Sequence, residues 1–193
     1  MWKKEIMKTL VIYAHPNEEQ GSIANKIIIK KLKNEKDLKI RSLYSIYPDY
    51  NIDIQAEQQA LLDADVIVFQ YPFHWYSIPG LLKEWLDKVL LYGFAYGAGG
   101  DKLHGKELII STTVGGGSET YQSTGNNHFT INQLLTPLQQ TALFTGMIFN
   151  KPLVTHNMVY IPNGPIKKDS ITRRAEEHAD KLLNRLAILK LNK

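Results

Sequence analysis

The 193-residue chain contains no cysteine, which excludes disulfide staples, thiol catalysis and cysteine-ligated iron–sulfur clusters and fits a reducing compartment. It has no apolar run long enough to span a bilayer, and residues 2–7 (WKKEIM) lack the long apolar stretch of a signal peptide. A soluble, cytoplasmic protein is the expectation. Charge of one sign is also scarce: the net charge is +4 with 22% charged residues, and much of the basic excess sits on Lys26, Lys30, Lys31 and Lys33, a solvated helix face. No nucleic-acid partner is expected from that balance. Neither a G-x-G-x-x-G fingerprint nor a P-loop lysine occurs, which argues against a dinucleotide-type Rossmann site and a nucleotide triphosphatase. There is no H-x-x-x-H pair, and His104, His156 and His178 lie far apart, so no metal site is expected and these histidines read as structural.

What is present is an alternation. Residues 9–14 (TLVIYA), 65–71 (DVIVFQY) and 107–113 are short apolar runs of the kind that forms strands buried on both faces, and residues 38–44 and 152–156 are further strand candidates. Between them lie helical patterns. One starts at Ser22 as N-cap and places Ile23, Ile27, Ile28 and Leu32 on one face; another covers residues 55–62. A third begins at Pro79 with Leu81, Leu82, Trp85, Leu86, Val89 and Leu90 as its apolar stripe, which assigns Trp85 to core or dimer packing. Residues 136–146 and 170–189 complete the series. The pattern predicts one α/β domain over residues 1–193, a three-layer sandwich with a five-stranded parallel sheet.

In the flavodoxin-like strand order 2-1-3-4-5, a ligand sits beyond the carboxyl ends of the strands, at the switch point between the first and third. The segments leaving the first, third and fourth strands are the most unusual in the chain: residues 15–22 (HPNEEQGS), 72–77 (PFHWYS) and 114–121 (VGGGSETY). The first ends at a helix N-terminus suited to phosphate, with Ser22 and Asn25 as added donors; simple N-capping by Ser22, and a turn tied down by His15, are the bland alternatives. Phe73, His74, Trp75 and Tyr76 are too aromatic for an exposed turn unless a planar group or a subunit packs on them. Gly115 and its neighbours allow backbone N–H groups to approach a ligand, or mark a tight turn. A flavin gives all three loops one purpose.

At these residues the chain resembles the NAD(P)H:quinone reductases of flavodoxin-like fold, which include DT-diaphorase and the ancillary quinone reductases of bacterial glutathione-gated potassium efflux systems. The resemblance runs from Leu10 to about Ile161 and rests on YAHP (13–16) with SIANK (22–26), QYPFHWYSIP (70–79) with LKEWLDK (82–88), GFAYG (93–97) and TTVGGG (112–117). It implies FMN, with FAD the alternative, and NAD(P)H and a quinone as substrates. His15, Ser22, Ile23, Ala24 and Asn25 would hold the phosphate end, Pro72, Phe73, His74 and Trp75 would line the ring, and Thr113, Val114, Gly115 and Gly116 would face its polar edge. Tyr121 and His128 stand near the places of the pair that assists hydride transfer in DT-diaphorase-like enzymes, one residue further apart than there; a surface or capping histidine is the other reading of His128. The resemblance further implies a homodimer, and offers two other roles: an azo or nitro reductase, or a regulatory subunit docked on a potassium efflux transporter at the inner face of the membrane.

Overall fold

The computed structural model describes residues 7–191, with backbone alone at 19 and 20; the expectation for the N-terminal prefix falls almost wholly outside the described residues. Along the chain, β1 (Thr9–Tyr13) leads into the short α1 (Glu18–Gly21) and α2 (Ala24–Leu32), then β2 (Leu38–Ser42), α3 (Leu43–Ile46), α4 (Ile54–Leu62), β3 (Val66–Pro72) and α5 (Gly80–Val89). The second half carries β4 (Glu107–Thr113), α6 (Ile131–Leu134), α7 (Thr136–Phe144), β5 (Ile148–Phe149), β6 (Leu153–Thr155) and α8 (Lys168–Leu191). All strands pair in parallel, in the order β2-β1-β3-β4, and β5 and β6 share the fifth place.

The two-residue period of the strands sorts the sheet's side chains into two cores. Leu10 and Ile12 of β1, Ile67, Phe69 and Tyr71 of β3, and Leu108 and Ile110 of β4 pack with α3, α4, α5 and α7. Val11 and Tyr13, Val66 and Val68, and Ile109 face the other way, onto α2 and α8. Trp85 is fully buried in the first core, edge-on to Phe69 at 5.9 Å, and its indole N–H donates to Glu57 Oε2 at 2.9 Å. Glu57, itself buried, also accepts from Tyr47 and Arg41, so core packing is the assignment for Trp85.

Two expectations change. The second strand ends at Ser42, because Leu43 turns into the core as the first residue of α3 and Tyr44 accepts from the Leu81 N–H at 3.2 Å. The fifth strand is interrupted: β5 pairs with Glu107 and Leu108, β6 with residues 111–113, and the chain between them contains Pro152, which has no N–H for the ladder. Asn150 bridges the break, its backbone N–H donating to Leu108 at 2.9 Å and its side chain to Glu107 at 2.8 Å.

Candidate functional site

At the carboxyl ends of β1, β3 and β4 the loops enclose a cavity of about 250 Å³, lined by His15, Pro16, Asn17, Gly21, Ser22, Asn25, Pro72, Phe73, His74, Thr113, Gly115, Met158 and Val159. One end of it is polar. The Ser22 hydroxyl oxygen accepts from the Asn25 N–H at 2.9 Å, the contact expected of a helix N-cap although the helix proper starts at Ala24. The N–H groups that open α2 have no acceptor within the helix and carry the positive end of its dipole. His15 Nδ1 accepts from the Asn17 N–H at 3.1 Å, so the neutral ring carries its proton on Nε2 as a donor. Burial, then the neighbouring His74 and Lys26, push the His15 pKa down to about 4. Lys26 thus adds positive potential to this end.

The other end is apolar and backbone-rich. Pro72 closes β3, and the N–H of Phe73 donates to Thr113 at 2.8 Å, which holds this loop against β4. His74 and Ser77 exchange two backbone bonds around a tight turn whose central residues, Trp75 and Tyr76, have φ of +44° and +62°. Residues with side chains adopt this left-handed backbone at about 1–3 kcal/mol each. The turn is tied to the third loop by Tyr76, whose hydroxyl donates to Asn127 Oδ1 at 3.2 Å, and Phe73 meets Tyr121 edge-on at 6.2 Å. A Cβ on Gly115 would lie 2.9 Å from a Val159 methyl group, so a side chain here would have to displace Val159 from the cavity wall. Among the described residues the N–H groups of Gly115 and Gly116 have no hydrogen-bond partner.

The structure brings His15, Ser22, Asn25, Pro72, Phe73, His74, Thr113 and Gly115 together around one cavity. It places the others differently. Ile23 and Ala24 pack their side chains into the α2/α8 core, leaving only backbone N–H groups for a ligand. Val114 is fully buried, its N–H bonded to Thr155 and its carbonyl to Met158, so it supports the wall without facing the cavity. Gly116 borders Tyr121 outside the cavity lining. Trp75 is 92% exposed at the tip of its turn. His128 is exposed with φ of +60°, and the ring beside Tyr121 is instead that of His156, at 5.5 Å. His156 Nδ1 lies 3.0 Å from the Gly116 carbonyl, which fixes its proton on that nitrogen. The loop after β6, which supplies His156, Met158 and Val159, carries no unusual composition; its only signal is that it leaves the strand next to β4.

A larger cavity, about 400 Å³, lies at the opposite end of the sheet between Lys8, Leu10, Lys36, Asp37, Lys39, Ala60 and Asp63. Three lysines and two aspartates share its lining, and Asp37 and Asp63 already hold Lys190 and Gln59. The smaller cavity instead joins a helix N-terminus to an apolar wall with a free N–H donor at Gly115. Its donor set suits a phosphate tethered to a planar polar ring.

A family model described as flavodoxin-like fold matches residues 7–183. An NAD(P)H oxidoreductase of Bacillus subtilis (strain 168), itself uncharacterized, is 45% identical over 164 residues, covering 85% of this chain and 94% of that protein. The glutathione-regulated potassium-efflux system ancillary protein KefF of Salmonella newport (strain SL254) is 43% identical over 180 residues, covering 90% and 94%. The crystal structure of general stress protein 14 from Treponema denticola in complex with FMN superposes with a TM-score of 0.85 at 31% identity, over 94% of this chain and 99% of that one.

Proposed function

This chain belongs to the flavodoxin-like family, among relatives that include an NAD(P)H oxidoreductase, and from that membership we propose that it is an FMN-dependent NAD(P)H:quinone oxidoreductase working by ping-pong two-electron transfer. The observation that carries the reading is the two-ended cavity at the switch point, where helix-start donors and Ser22 face an apolar wall of Pro72 and Phe73. The FMN-bound relative favours FMN over FAD, and the quinone rests on the family resemblance of the loop motifs. Bound there, FMN supplies the one chemistry side chains lack, accepting a hydride from reduced nicotinamide and passing it to an acceptor.

The chain's own residues then have separable tasks. His15 Nε2–H, the hydroxyls of Ser22 and Thr113 and the first N–H groups of α2 hold the phosphate end. Phe73 and His74 exclude water from one face. The N–H group of Gly115 is a fixed donor where negative charge grows, and such a donor costs no reorganisation during the reaction. Tyr121 is kept protonated, its pKa raised by burial and by Tyr76, so its hydroxyl remains a donor. His156 shares the mouth with it.

One pocket for both substrates requires the nicotinamide to leave before the acceptor enters. Initial rates at several fixed quinone concentrations are therefore expected to give parallel double-reciprocal lines; intersecting lines would contradict the scheme. Azo and nitro compounds are alternative acceptors for the same pocket. A second reading, a subunit docked on a potassium efflux transporter, is favoured by the efflux-system relative, and co-purification with such a transporter tests it.

A further inference from the structure

Behind the cavity wall runs a continuous line of polar side chains through an otherwise apolar core. Thr155 Oγ1 lies 2.7 Å from His178 Nδ1, and His178 Nε2 lies 2.7 Å from Ser111 Oγ. Ser111 donates to Gln70 Oε1 at 2.6 Å, and Gln70 Nε2 donates to Asn25 Oδ1 at 2.9 Å. The Asn25 amide nitrogen donates in turn to Thr113 Oγ1 at 3.0 Å and Ser22 Oγ at 3.3 Å. His178, Ser111 and Gln70 are completely buried, and Asn25 is 2% exposed. The line starts on β6, passes through α8, β4, β3 and α2, and ends on two hydroxyls in the cavity wall.

Each hydroxyl has one proton, and a neutral imidazole has one N–H, so the line has a direction. Burial, then Lys181 and Arg185 on the same helix, push the His178 pKa down to about 4, and the ring is neutral at pH 7. Because Ser111 gives its proton to Gln70, its oxygen must accept from His178 Nε2–H, and His178 Nδ1 must accept from Thr155. The direction then reaches the cavity: the oxygens of Ser22 and Thr113 are occupied as acceptors, by the Asn25 amide and, for Ser22, also by the Asn25 backbone N–H. Their hydroxyl protons are left for whatever fills the cavity. With every side chain reversed, and His178 protonated on Nδ1 instead, Asn25 Oδ1 would take those protons and the two hydroxyls would turn lone pairs to the ligand.

We propose that His178, through Ser111, Gln70 and Asn25, is a positioning residue that fixes Ser22 and Thr113 as hydrogen-bond donors to the phosphate end of the ligand. This rests on the reading of the cavity as a site for a phosphate-bearing flavin. Neither His178 nor Ser111 touches the cavity, so their effect is on the polarity of the site and not on its shape.

Two measurements test it. In the protein without added flavin, nitrogen-15 spectra of labelled imidazoles at pH 7 are expected to show His178 neutral and protonated on Nε2; the Nδ1–H form overturns the proposal whether or not the protein binds FMN. Flavin fluorescence titrations with FMN and with riboflavin, which lacks the phosphate, give the second readout. Ser111→Ala and His178→Leu are expected to weaken FMN about tenfold, the scale of one hydrogen bond to a charged group, and riboflavin less than about twofold. His178→Gln, which keeps an N–H near Ser111, is expected to restore most of the FMN affinity. Equal losses for both flavins, or no loss, contradict the relay; should a variant not fold, the tautomer of the unaltered protein decides. Failure of the unaltered protein to bind FMN, with His178 in the Nε2–H form, rejects the flavin reading and leaves the relay's direction standing.

Discussion

At the scale of single residues, the second loop stores strain next to the cavity. Trp75 combines a φ of +44° with 92% exposure, so it gains nothing from burial to offset its backbone. Asparagine tolerates the left-handed region better than tryptophan. Trp75→Asn is therefore expected to raise stability by about 1 kcal/mol in urea denaturation while weakening FMN several-fold, since the indole is the piece available to cover a bound ring. A less stable variant, or one with unchanged affinity, removes Trp75 from that role. The Tyr121 environment separates two histidines that the sequence treats oppositely. His156 contacts the Tyr121 ring and Gly116, whereas His128 is exposed with no ring contact among the described residues. Tyr121→Phe and His156→Ala are expected to lower kcat about tenfold or less, water access limiting the loss, and His128→Ala to leave it within about twofold. A large loss from His128→Ala restores the pairing that the sequence suggests.

At the scale of elements, legibility followed local chemistry. Strands β1, β3 and β4 are buried on both faces, so their apolar runs could be read directly. At the fifth place residues 152–156 were legible and hold β6, whereas the two-residue β5 was not, because the pairing is split around Pro152 and bridged by a side chain of Asn150. Three site loops announce themselves by histidine, aromatic and glycine content. The fourth supplies Met158 and Val159, ordinary apolar residues whose role depends on strand adjacency. The polar line through His178 was hidden for the same reason: its members are spread over five elements, and a lone histidine in an amphipathic helix looks structural. That histidine makes the stability of the α8 layer pH-dependent. Its folded-state pKa of about 4 lies below the ordinary 6.5, so as pH falls the unfolded chain takes up the proton first. Stability is full well above pH 6.5 and declines toward pH 4, by about 2 kcal/mol between pH 7.5 and 5 from this group. His15 acts in the same direction. Urea midpoints at pH 7.5 and 5.0 check this, and the decline is expected to be shallower in His178→Gln; an unchanged decline assigns it to other groups.

At the scale of the whole molecule, no helix among the described residues is long and apolar enough to cross a membrane, and yet the surface is not uniformly polar. Tyr92, Leu143 and Phe144 are each at least 60% exposed, and Tyr96 links the two rings, 5.8 Å from Tyr92 and 5.4 Å from Phe144. Such a patch suits the homodimer implied by the family resemblance. Sedimentation is expected to give a dimer, and Phe144→Asp to shift it toward monomer; a monomeric unaltered protein contradicts that reading. Two-electron transfer through a bound flavin is measured by anaerobic titration of the FMN-loaded protein with NADPH or NADH, followed by a benzoquinone. The visible flavin bands are expected to bleach with one equivalent of reduced nicotinamide and return with one equivalent of quinone. A protein that cannot be reconstituted with FMN, or one whose bound flavin reduced nicotinamide does not bleach, would contradict it.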